Sequence, residues 1–111
     1  MANTYTQLYI QFVFAVKSRE SQIQASWKNE LYKYITGIVQ NNKSKMLAVN
    51  GMSDRIHIFI GYKPCICIPD LIKDIKVASS LWVTGGKLTK QKFNWQDGYG
   101  AFAYSKSHIR I

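Results

Sequence analysis

The sequence predicts an α+β fold: a four-stranded antiparallel sheet carrying two helices on one face, in the order β-α-β-β-α-β. Three observations predict it. Apolar residues recur every second position in two segments, every third or fourth position in two others, and turn-forming clusters separate them. A chain of 111 residues with 47% apolar content has the length for a single domain with a single core, and enough apolar side chains to fill it.

From Tyr5 to Val16 the chain alternates. Leu8, Ile10, Phe12, Phe14 and Val16 share one face, and Tyr5, Gln7, Tyr9 and Gln11 share the other, as in a strand with one buried side. After the polar loop Lys17-Ser18-Arg19-Glu20, the apolar residues Ile23, Trp27, Leu31, Tyr34, Ile35 and Ile38 recur at helical spacing, which predicts an amphipathic helix ending near Asn41-Asn42. Met46 to Val49 reads as a short strand and Asn50 to Asp54 as a turn. Period two then returns from Arg55 to Tyr62: Ile56, Ile58 and Ile60 point one way, Arg55, His57 and Phe59 the other.

A second helix is predicted from Pro69, a residue suited to a first helical turn, through Leu71, Ile72, Ile75, Ala78, Ser79 and Trp82 to a stop at Gly85-Gly86. A basic, irregular segment with Lys87, Lys90 and Lys92 follows. The turn Gln96-Asp97-Gly98-Tyr99-Gly100 then leads into a last strand, Ala101 to Ser105. Element order and spacing together give the ferredoxin-like split βαβ sandwich. With both helices on one side, the other sheet face is open and presents Tyr5, Tyr9, Gln11, Arg55, His57 and Phe59.

Charge narrows the class of partner. Fifteen Lys+Arg against six Asp+Glu leave a formal net charge of +9, the balance of a polyanion binder, because neutralising phosphates releases their counterions. No apolar run approaches the roughly 20 residues that span a bilayer, and Met1-Ala2-Asn3-Thr4 has no basic and apolar leader pattern, so a cytoplasmic protein without membrane association is expected. Cys65 and Cys67, one residue apart, are too close for a useful disulfide and are expected to be reduced thiols.

Three segments carry a resemblance. They are Met52-Ser53-Asp54-Arg55-Ile56-His57-Ile58-Phe59-Ile60; Lys63-Pro64 with Ile68 to Lys76 and Ser79-Ser80; and Trp95-Gln96-Asp97-Gly98-Tyr99-Gly100-Ala101-Phe102 with Ser105-Lys106-Ser107. Together they resemble the single-tyrosine HUH transposases of small bacterial insertion sequences. The resemblance implies a homodimer that recognises a single-stranded DNA hairpin. It also implies a His-hydrophobe-His motif holding magnesium or manganese, and a tyrosine on a C-terminal helix that attacks the phosphate.

The sequence departs from that pattern. The motif reads Arg55-Ile56-His57, with arginine at the first histidine position, and the chain ends at Ile111, six residues past Ser105, about where the nucleophile helix would begin. Neither the tyrosine nor the last metal ligand finds a counterpart. Tyr104 and Tyr99 are read as packing residues. A guanidinium beside a divalent ion costs roughly 4 kcal/mol per unit charge at about 4 Å in an effective dielectric near 20, so no metal is expected. Arg55 is suited instead to gripping a phosphate directly.

The expectation is a single HUH-type domain over residues 1–111 that lacks its nucleophile helix and binds DNA without catalysis. DNA contacts are assigned to Arg55, His57, Tyr9, Phe59, Lys87, Lys90 and Lys92, with His57 also the residual metal position. His57 reads equally well as a half-exposed surface histidine. Two other readings stand: an active transposase whose tyrosine helix is supplied by further sequence, and an RNA-binding module of the same topology.

Overall fold

A computed structural model describes residues 8–17, 22–62, 66–89 and 93–105. Six elements follow one another in the predicted order: β1 (Leu8–Ala15), α1 (Lys28–Asn41), β2 (Lys45–Met52), β3 (Arg55–Tyr62), α2 (Ile68–Gly85) and β4 (Gly100–Ser105). The strands form one sheet in the order β2-β3-β1-β4, every pair antiparallel. Both helices lie on one side of it.

The core forms where the two periodicities meet. Ile10, Phe12 and Phe14 of β1 and Ile56, Ile58 and Ile60 of β3 are buried beneath Leu31, Ile35 and Val39 of α1 and Leu71, Ile72, Ile75 and Val83 of α2. The segment read as basic and irregular adds two large rings to this core, since Phe93 and Trp95 are buried and meet edge to face with centroids 4.9 Å apart. Ser79 faces the same core without an unsatisfied hydroxyl. Its Oγ accepts the Trp95 indole N–H at 2.9 Å and donates to the Ile75 carbonyl.

Two boundaries differ from the sequence reading by more than one residue. β2 runs to Met52 because Ser53-Asp54 alone reverses the chain, which leaves Asn50, Gly51 and Met52 paired with His57, Ile56 and Arg55. Gly51 is therefore a strand residue at a close approach, where a Cβ would collide with the Arg55 carbonyl oxygen and Ile56 Cα. The first helix begins at Lys28, later than the spacing of Ile23 and Trp27 suggests. Ile23 is buried from an irregular segment, donating its N–H to the Ser53 carbonyl at 2.8 Å, and Trp27 from the turn before the helix, so they imitate helical spacing without belonging to the helix.

Both helices end on a lysine rather than a glycine in the left-handed region. Lys43 has φ 62° and Lys87 φ 53°, while Gly86 stays right-handed. The bonds from Ser44 N–H to the Val39 carbonyl and from Leu88 N–H to the Val83 carbonyl close each end. They offset the roughly 1 kcal/mol or more that a residue with a Cβ loses there.

Candidate nucleic-acid interface

The helix-free face follows from register. On β3 it carries Arg55, His57, Phe59 and Gly61; opposite them on β1 stand Ala15, Val13, Gln11 and Tyr9. β4 adds Gly100, Phe102 and Tyr104, opposite Val13, Gln11 and Tyr9. Tyr5, the remaining residue expected here, lies outside the described residues.

One end of this face is aromatic. Tyr9 has Gly61 directly across, and its ring leans diagonally to stack on Phe59, with centroids 5.8 Å apart and an interplanar angle of 16°. Tyr104 meets Phe59 edge-on at 6.2 Å. Phe102, 53% exposed, continues the patch along β4. The sequence predicts the strand Ala101 to Ser105 but does not join Phe102 and Tyr104 to this patch. The Phe102–Tyr104 alternation was the available signal, and only the β1–β4 register says which face it occupies.

The other end is polar. Gln11 and His57, again diagonal neighbours, join through the amide nitrogen and the imidazole Nδ1 at 2.9 Å. With the amide donating, the neutral ring carries its proton on Nε2 and offers an outward donor. Arg55 is exposed and forms a two-pronged pair with Asp54, Nε to Oδ1 at 3.2 Å and Nη2 to Oδ2 at 3.3 Å. The bond from Arg55 holds the Asp54 carboxyl below the usual carboxylate range, and Asp54 in turn raises the guanidinium's pKa. Both groups are open to water, so the pair aims the guanidinium without locking it, and a phosphate can replace the carboxylate.

The structure thus gathers Arg55, His57, Tyr9 and Phe59 on one face. It does not bring Lys87 there: that residue caps α2 in the helix layer. Lys90 and Lys92 lie outside the described residues. The face fits a divalent metal poorly, because the residue two positions before His57 is a guanidinium and no group of three or more His, Cys, Asp or Glu side chains suited to a metal occurs among the described residues. No helix among them is long and apolar enough to cross a membrane.

These features define a split-βαβ domain with an open sheet face, aromatic at one end and polar at the other. The family described as "Transposase IS200 like" matches residues 4–111, and the chain belongs to it. No curated protein matches the chain. Among solved structures, a protein from Deinococcus radiodurans R1 assigned as a transposase shares the fold at TM-score 0.83 and 22% identity, over 97% of this chain and 87% of that one. A REP-associated tyrosine transposase bound to a REP hairpin matches at TM-score 0.64 and 14% identity, over 94% of this chain and 61% of the other.

Proposed function

We propose that this domain binds single-stranded DNA bearing a hairpin, as in DNA transposition, on the open face of its sheet, and that its metal-dependent chemistry is lost. The carrying observation is the continuity of the Tyr9–Phe59–Tyr104 aromatic patch with the Gln11–His57–Arg55 row. Arg55 and the outward nitrogen of His57 hold phosphate oxygens, while bases stack on Phe59 and Phe102, a contact worth about 1–3 kcal/mol per base. The net charge of +9 adds sequence-independent attraction that weakens as salt rises. Hairpin binding by a transposase of the same fold supports this choice of nucleic acid. The domain works in the cytoplasm, as a homodimer.

Loss of chemistry rests on Arg55. A guanidinium at the first position of the motif puts a positive charge where a second metal-binding imidazole is needed, and it serves phosphate binding without a Lewis acid. Tyr104 and Tyr99 are packing residues, engaged with Phe59 and Phe12 respectively. Incubation with end-labelled hairpin DNA and manganese, followed by a denaturing gel, is the test. The expected result is salt-sensitive binding under native conditions and no labelled protein band after denaturation. A surviving band would restore the reading of an active strand-cleaving transposase.

A further inference from the structure

At the Arg55 end of the sheet, β1 and the chain entering β4 separate between two fixed points. Val13 pairs with Gly100 and Val16 bridges to Trp95, so Gln96 to Tyr99 stand against only Phe14 and Ala15. The longer segment arches away and leaves a cavity of about 230 Å3 lined by Val13, Ala15, Gln96, Asp97, Gly98, Tyr99 and Gly100. Val13 and Ala15 are open-face positions directly across from His57 and Arg55, so the cavity adjoins the polar end of that face.

Its wall is held in place from behind. Lys76 on α2 donates from Nζ to the carbonyls of Gln96 and Gly98, and the same ammonium sits 5.5 Å from the centre of the Phe14 ring. Gln96 N–H donates to the Ala15 carbonyl at 2.7 Å. Gly98, at φ +79°, takes a backbone conformation that side chains disfavour. The arch is preorganised, and its one anionic group is the exposed carboxylate of Asp97.

A carboxylate is unsuited to phosphate but complementary to N–H donors. Val13, Ala15 and Tyr99 give the cavity apolar walls, which suit the face of a base better than a charged group. Of the four bases, guanine alone offers two adjacent donors, N1–H and N2–H, that match two carboxylate oxygens. Adenine and cytosine offer one amino group beside an acceptor, and thymine a single N–H between two carbonyls. We propose that this cavity takes one unpaired base of the DNA held on the open face and selects guanine through Asp97, an inference that rests on the DNA-binding reading above.

The experiment is fluorescence anisotropy with hairpins carrying an all-thymine single-stranded extension in which one position at a time is replaced by guanine, adenine, cytosine or an abasic site. For the wild-type protein, guanine at one position should tighten binding at least about fivefold over thymine. Asp97→Asn and Asp97→Ala should each reduce that preference below about twofold, while affinity for the all-thymine hairpin stays within about twofold because Asp97 holds no phosphate. Binding without guanine preference at any position, or a preference that survives both substitutions, overturns the guanine site and leaves the DNA-binding reading standing. Failure of every hairpin to bind at low salt overturns both.

Discussion

On β3, Ile56, Ile58 and Ile60 lose all solvent contact beneath the helices, whereas Arg55, His57 and Phe59, interleaved with them, remain open or half-open on the other side. The two rows share one backbone and one register, yet answer to different physics. The isoleucines are fixed by close packing, where a missing methylene costs stability. The other row is constrained only by what it touches outside the sheet, so an arginine can stand at residue 55 without disturbing the fold. A domain can therefore keep this architecture intact while the residues of its open face vary.

If the two rows are independent, substitutions should sort cleanly. Ile58→Ala should lower unfolding free energy by about 2–5 kcal/mol in a urea titration, through lost burial and the cavity left behind. Its DNA affinity should be unchanged once corrected for the folded fraction; an intrinsic loss of affinity would show that the rows are coupled.

A smaller effect is expected from Asp54→Asn. Removing the carboxylate that competes for Arg55 should tighten hairpin binding by about two- to threefold at low salt, with the urea midpoint unchanged, because the pair it breaks is exposed. The gain should vanish when Arg55→Ala is combined with it. Equal tightening in the double variant would assign the effect to net charge alone.

The smallest effect concerns the arch beside the polar row. Burial lowers the pKa of Lys76 below 10.5, with the charge of Asp97 opposing the shift in part. The unfolded chain therefore binds this proton more tightly than the folded one, and stability should rise with pH between the lowered folded pKa and 10.5. Lys76→Met should show a shallower rise over the same window in parallel urea titrations. An unchanged slope would mean that Lys76 does not carry the effect.

Much of this was legible in the sequence because period two and period 3.6 are local signals. Ile56, Ile58 and Ile60, the run from Leu71 to Ser79, and the β-α-β-β-α-β order all follow from spacing within single segments. What escaped depends on partners distant in sequence. Tyr104 joins the aromatic patch only because β4 pairs with β1 in one register, and Phe93 is core only because it meets Trp95, whose ring lies against Phe14 of β1. Gly51 looked like a turn residue because glycine serves both turns and close backbone approaches, and only the short Ser53-Asp54 reversal distinguishes them. Asp54 was read as turn chemistry, and nothing in local spacing shows that its carboxylate reaches round to Arg55.

The claim that the open face binds single strands is tested most directly by comparing a hairpin with a single-stranded extension against a blunt duplex of equal length and charge, for the wild-type protein and Phe59→Ala. Stacking on Phe59 predicts that the wild type prefers the extended hairpin by about tenfold, within the range of one to two stacked bases, and that Phe59→Ala loses most of this preference while duplex binding stays the same. Equal affinity of the wild type for the two DNAs, or a preference untouched by Phe59→Ala, would contradict the account.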